Sequence, residues 1–235
     1  MKLKLTPLYI LSFLALLFFV HEVHDWAHTL VARLVSGCWP PRAFDSWQFC
    51  VEAPVSSGKN AIATIAGPLV NFILLWSGWQ MMDENNFSDQ QSLGCSLVFA
   101  SLPLNNLLGA FSGGGDLTNA LRLGLSRINN RHHQVVTLLG LAIVLVVCVP
   151  PLIRAFICLP WWQGKFLYYP IFLIVPGILD RWFVGGMLNK WFIHSDTPAE
   201  KAYWYILGWT GLTLLILIFT HRRLTALIND DELPL

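Results

Sequence analysis

Three histidines and an acid share one side of an apolar stretch near the start of the chain, FFVHEVHDWAHTLVARLV, residues 18–35. On a helix that advances about 100° per residue, His28, His21 and Asp25 all fall within about 100° of His24. His24 and His28 stand four residues apart, a spacing that brings two imidazoles to one cation. His21, one turn earlier, can be an outer partner or an additional ligand. The pattern predicts a metal site or a proton-handling site.

A zinc site would need a third protein ligand, because a catalytic zinc ion takes three and keeps one position open. The best candidate is Asp116, which follows SLPLNNLLGAFSGGG. His24 and His28 lie in the later half of the first apolar run, and Asp116 follows the third run. Because odd-numbered spans run in the same direction, these residues should approach the same membrane face. The segment Ser112–Gly115 can let the backbone approach closely, or it can end a helix and leave Asp116 as the next N-cap.

The composition is typical of a membrane protein: of 235 residues, 55% are hydrophobic and 12% are charged. A spanning helix takes about 20 apolar residues. Six runs are suitable: 6–31, 60–81, 93–112, 134–158, 166–188 and 203–221. We therefore predict an all-α, polytopic integral membrane helix bundle, with residues 1–235 as a single transmembrane domain. The apolar composition makes the lipid bilayer the expected partner, whereas the formal net charge of +1 and the lack of a basic stripe argue against nucleic acid.

Two further features concern topology. Asp180 and Arg181 interrupt the fifth run, which can be a re-entrant helix or a complete span that carries an ion pair. With the N-terminus outside, nine Lys and Arg residues fall on the inner side and five on the outer side, leaving out Arg154 within the fourth run. The positive-inside tendency thus predicts an external N-terminus and a site toward the cytoplasmic side. Cys38 and Cys50 flank a loop and can pair if it faces an oxidising compartment.

Three stretches in order resemble the motifs of the site-2 protease family of intramembrane zinc metalloproteases: HDWAH (24–28), AGPLVNFILL (66–75) and NLLGAFSGGGDLTNAL (106–121). That family carries an HExxH helix, often a G-P-x-x-N motif, and a later N-x-x-P-x-x-P-x-D-G type segment. The likeness covers about half of the chain. It implies a metalloprotease-like core within residues 1–125, while residues 126–235 form additional membrane spans of unknown role.

The resemblance implies that His24, His28 and Asp116 bind Zn²⁺ and that Asp25 is the general base. Asp25 stands where the family has Glu, and it is one methylene shorter. A carboxylate here can still accept a proton from the attacking water if it reaches that water in good geometry. Glu22 is not expected to replace it, because Glu22 falls about 160° from His24 on the helix.

The other motif positions concern the substrate. The resemblance implies that Asn71 and Asn106 hold a substrate backbone, although each can equally bond between helices. Leu117 stands where the family has Gly after the third ligand, and the spacing from Asn106 is longer than usual.

We therefore predict an intramembrane zinc metalloprotease that hydrolyses peptide bonds in or near transmembrane segments of client membrane proteins. The alternative is a catalytically inactive zinc-binding pseudoprotease that binds such clients. A di-iron membrane hydroxylase or desaturase is a third possibility, since HDWAH and RHHQ (131–134) offer histidine pairs. Seven histidines in total, without an H-x-x-H-H segment, are few for that chemistry.

Overall fold

The computed structural model describes residues 2–3, 5–51, 55–125, 133–159, 162–193, 197–226 and 228–229. The helices are α1 Pro7–Ser36, α2 Ser57–Met81, α3 Ser88–Ala100, α4 Pro103–Phe111, α5 Asp116–Gly124, α6 His133–Cys158, α7 Trp162–Leu179, α8 Asn189–Phe192 and α9 Ala199–Thr220. A π-helical segment, Asp180–Leu188, joins α7 to α8, and a 3-10 helix, His221–Ala226, follows α9. Two short strands, β1 Lys2–Leu3 and β2 Ile228–Asn229, pair in antiparallel fashion.

Six helical segments are long and apolar enough to cross a membrane, which agrees with the predicted multi-pass helical bundle. They are Pro7–Ser36, Ser57–Met81, Ser88–Phe111, Gln134–Cys158, Lys165–Phe192 and Glu200–Thr225. The fifth continues through Asp180 as helix, in agreement with the complete-span alternative. The β1–β2 pair holds the two ends of the described chain together, as expected for an even number of spans.

Helix α1 is the central element, packed against α2 on one side and α9 on another. Its start is well defined: Pro7 occupies the first turn, and the Thr6 hydroxyl accepts a hydrogen bond from the Tyr9 amide at 3.1 Å. It ends at Gly37, whose φ of 81° is the left-handed conformation that glycine adopts without a Cβ penalty. The next residue, Cys38, opens the connection to α2.

This connection is a hairpin, residues 38–50, closed by a disulfide between Cys38 and Cys50. Its Arg42 reaches into the bundle, where the guanidinium lies 2.7 Å from Glu22 Oε2, and both side chains are fully buried. The Thr210 hydroxyl of α9 donates to the same carboxylate oxygen at 3.3 Å. The ion pair therefore fixes the hairpin to α1, and Thr210 brings α9 against the same carboxylate.

Arg42→Met is expected to lower the free energy of unfolding by about 3–5 kcal/mol, because Glu22 would stay buried without its partner. The double variant Arg42→Met with Glu22→Met removes both charges and should regain much of this loss. Thermal unfolding in detergent measures the effect, with Arg223→Met, at an exposed position, as the control. Equal stability of the single and double variants would contradict the pairing.

Candidate metal centre

Three side-chain atoms converge at the C-terminal half of α1. His24 Nε2 and His28 Nε2 lie 3.1 Å apart, and Asp116 Oδ2 lies 3.4 Å from the first and 3.6 Å from the second. Ligands of a tetrahedral zinc ion with bonds of about 2.0 Å stand about 3.3 Å from each other. The predicted approach of α1 and the segment after the third span to one face is thus found in the structure, with the spacing of a metal-ligand set.

The hydrogen bond of His28 fixes which of its nitrogens faces this point. Its Nδ1 lies 2.7 Å from the carbonyl oxygen of Ala63, which only accepts hydrogen bonds, so Nδ1 carries the proton. In the neutral ring, Nε2 then presents its lone pair toward His24 and Asp116, as a metal ligand does. Trp47 of the hairpin stacks on the same ring, with centroids 5.3 Å apart.

Gly67 of α2 brings main-chain atoms close to both imidazoles. A Cβ at this position would lie 2.3 Å from His28 Nε2 and 2.7 Å from His24 Nε2, where no atom fits. The space between the donor atoms is therefore kept free by the absence of a side chain at Gly67. This residue belongs to the AGPLVNFILL motif, and its contact with the histidines gives that motif a physical role.

Gly67→Ala is expected to displace the imidazoles and weaken metal binding by about 10- to 100-fold, the range for changes that misorient ligands. Isothermal titration with Zn²⁺ measures the affinity. Gly58→Ala is the matched control, since a Cβ at Gly58, in the first turn of the same helix, meets nothing within 4 Å. Unchanged affinity in Gly67→Ala would contradict the close approach.

Asp116 reaches the histidines because α4 ends at Phe111 and a glycine turn redirects the chain. Gly113 and Gly115 have φ values of 71° and 77°, so the predicted helix stop is present. The expectation that Asp116 is the N-cap is wrong: Gly115 occupies the cap, and Asp116 is the first residue of α5. Its carboxylate is thereby free to face the centre instead of its own backbone.

Asp25 stands beside the two histidines. One carboxylate oxygen of Asp25 and one nitrogen from each of His24 and His28 lie within 4.8 Å of one another, so these three residues form a group that could hold a metal ion. Asp25 is 5% exposed, and its Oδ2 makes no hydrogen bond within the described part of the chain. Glu22 faces away from the two histidines, as its helical angle predicted, and it pairs with Arg42.

The second half of the chain contributes a residue that the sequence did not assign. Asp180, at the start of the π-helical segment, lies 2.9 Å from His21 Nδ1. The Nε2 atom of His21 donates to the carbonyl of Phe44 at 3.0 Å and lies 3.7 Å from Asp25 Oδ2. His21 is thus an outer partner of the group. An acid inside an apolar run signals function, but the sequence did not show which helix faces Asp180.

A cavity of about 380 Å³ opens onto these side chains, and both predicted substrate-contacting asparagines line it. Asn71 is 5% exposed, and its Oδ1 has no hydrogen-bond partner among the described residues. Asn106 donates to the carbonyl of Leu102 at 3.3 Å. Leu102 separates α3 from α4 with a φ of 52°, a left-handed conformation that costs a non-glycine residue about 1–2 kcal/mol. This break lets the chain bend around the cavity.

Comparison with protein-family models, curated proteins and solved structures gave no significant match. The resemblance to site-2 proteases therefore stays a hypothesis that depends on the three motifs and on the geometry of the residues within them.

Proposed function

We propose that this protein is an intramembrane zinc metalloprotease that hydrolyses peptide bonds in or near transmembrane segments of other membrane proteins. The convergence of His24, His28 and Asp116 supports this most strongly, because their donor atoms lie 3.1–3.6 Å apart beside a cavity in an apolar helix bundle. Two imidazoles and a carboxylate, with room for a fourth ligand, are typical of catalytic zinc.

When bound, zinc would supply a water of pKa near 7 and polarise the scissile carbonyl. Asp25 would accept the proton of the attacking water and pass it to the leaving amine. The unpartnered Oδ1 of Asn71 would accept an N–H from the substrate backbone. A helical substrate must unwind locally first, because its carbonyls are otherwise bonded within the helix. The polar cavity would admit the water that the bilayer excludes.

The inactive client-binding protein remains the second candidate, because Asp25 is shorter than Glu and lies between the Arg42 guanidinium and the His21 ring. Its Oδ2 is 3.6 Å from the Arg42 guanidinium and 3.7 Å from His21. The di-iron alternative gains no support. Within the described ranges one group of His and acidic side chains, His24, Asp25 and His28, could hold a metal ion. Arg131 and His132 of the RHHQ stretch lie outside those ranges.

The direct test reconstitutes the purified protein with a single-span substrate in lipid vesicles. We expect about one zinc per chain, cleavage within or beside the substrate span, and loss of cleavage on chelation that added zinc reverses. Purified protein without bound metal, and unable to take it up, would overturn the metal site. Bound zinc without any cleavage would favour the client-binding alternative.

Two features bear on which side of the membrane the site faces, and they favour opposite sides. The Lys and Arg count favours the cytoplasm, but its excess is small and includes Arg42, which is buried. The Cys38–Cys50 disulfide lies at the same face as the site and favours an oxidising compartment, since cytosolic thiols are kept reduced. Because the excess of basic residues is small, we propose that the site opens to the oxidising side, with the N-terminus in the cytoplasm.

Alkylation of native membranes with an impermeant maleimide tests this orientation. Cys38 and Cys50 should resist labelling until a reductant is added, and should then label from the oxidising side. Phe87→Cys, an exposed position between α2 and α3 at the opposite face, should label only from the cytoplasmic side. Free thiols at Cys38 and Cys50 in untreated membranes would instead support the orientation that the charge count predicts.

A further inference from the structure

The π-helical segment and the first residue of α8 contact the hairpin and α1. In a π-helix each residue bonds to the fifth along, so positions five apart lie on one face, whereas in an α-helix they are about 140° apart. Asp180 contacts His21, and Gly185 lies so close to Asp45 that an added Cβ would be 2.8 Å from its carboxylate. Asn189 accepts a hydrogen bond from the Phe44 amide at 3.0 Å. The wide turn thus aligns Asp180 and Gly185.

His21 is held on both edges of its ring. Asp180 Oδ1 lies 2.9 Å from Nδ1, and the Phe44 carbonyl accepts a hydrogen bond from Nε2 at 3.0 Å. The same Nε2 edge is 3.7 Å from Asp25 Oδ2, too far for a hydrogen bond, so the ring packs against this carboxylate and limits the space it can occupy. Asp180 therefore sets the orientation of a ring that faces Asp25.

Burial of the Asp180 carboxyl group in this bundle costs free energy. It is 7% exposed, and its Oδ1 makes no hydrogen bond within the described ranges; its close polar contact is with His21 Nδ1 at 2.9 Å. A buried acid with one partner is costly in an apolar bundle, and such acids mark functional sites. Asp180 also lines the same cavity as His24, His28 and Asp116.

We infer that Asp180 is a positioning residue for the proposed hydrolytic centre, acting through His21 to hold Asp25 toward the cavity. This inference rests on the proposed function, because it assigns Asp180 a role in the reaction that Asp25 would perform. Among the described residues, no hydrogen bond or ion pair joins Asp180 to the three candidate metal ligands. Loss of its charge should therefore affect the reaction without releasing the metal.

The test compares wild type with Asp180→Asn, Asp180→Glu and Asp25→Asn, using Asp89→Asn, an exposed acid in the first turn of α3, as the matched control. Cleavage is measured in vesicles, and the visible spectrum is measured on protein loaded with Co²⁺ alone. We expect Asp180→Asn to keep its metal and its KM within about twofold while kcat falls about 10- to 100-fold. Asp180→Glu should regain most of the loss.

The cobalt spectrum provides a measurement that does not need cleavage. Because Asp25 borders the cavity, Asp25→Asn should shift the cobalt bands, and Asp180→Asn should reproduce that shift while Asp89→Asn does not. A wild-type spectrum and wild-type kcat in Asp180→Asn would overturn the inference, as would loss of the metal. If the wild-type protein binds Co²⁺ but cleaves no substrate, the proposed protease function is wrong, and the cobalt spectrum alone tests the role of Asp180. If the wild-type protein does not bind Co²⁺, both the proposed protease function and the inferred role of Asp180 are wrong.

Discussion

His28→Ala is expected to reduce bound zinc from about one ion per chain to below about a tenth, and to abolish cleavage, because a two-ligand site does not retain zinc. His28 contributes a nitrogen whose lone pair is directed by its bond to Ala63. Metal analysis of the purified variant, after dialysis against a weak chelator, measures the loss. His24→Ala and Asp116→Ala should behave in the same way, since each removes one of the three converging atoms.

The matched control is His221→Ala, which changes an exposed histidine that bonds only locally, to Ile218, in the described structure. It should keep full zinc content and stability. If His28→Ala and Asp116→Ala both retain stoichiometric zinc, these residues are not the ligands. A small loss in every variant, the control included, would indicate general destabilisation of the bundle.

Asp25→Asn should lower kcat by about 10²- to 10⁴-fold, the range for removal of a general base, while zinc content stays near that of wild type. Asparagine keeps the shape of the side chain but cannot accept the proton of the attacking water. The measurement is the steady-state cleavage rate in vesicles, with Asp89→Asn as the control for loss of an acid. Equal rates in Asp25→Asn and wild type would exclude this residue as the base.

Asp25→Glu separates the two candidate functions. If the protein is a protease, Asp25→Glu should keep or gain activity, because the longer side chain matches the glutamate of the HExxH motif in site-2 proteases. A client-binding protein should be indifferent to the change. Client affinity, measured by co-purification of the single-span substrate, should remain within about twofold for both Asp25 variants if binding alone is the function.

Much of the candidate centre was predictable because it depends on local periodicity and on the direction of spans. Helical spacing placed His24 and His28 together and turned Glu22 away, and the odd-numbered spans brought Asp116 to the same face. These inferences need only the rise and twist of a helix and apolar helices long enough to cross a bilayer. They are independent of which helices are lateral neighbours.

The residues that the sequence did not reveal depend on those neighbours. Asp180 meets His21 through a π-helical turn, and an α-helical pattern would place Asp180 and Gly185 on different faces. Arg42 was counted as a loop charge, although it is buried against Glu22 and near α9. Gly67 belonged to a quoted motif, but its contact with two imidazoles depends on how closely α1 and α2 approach.

The hairpin between α1 and α2 makes contacts that reach far along the chain. Arg42 shares its partner Glu22 with Thr210. The amide of Phe44 donates a hydrogen bond to Asn189, 145 positions later in the chain. During synthesis, the converging histidines and Asp116 are all present after the third span, but the supports of the hairpin emerge only with the final helices. The nascent chain thus lacks the contacts that hold the hairpin, and the part of the cavity wall that Asp180 supplies, until translation is well advanced.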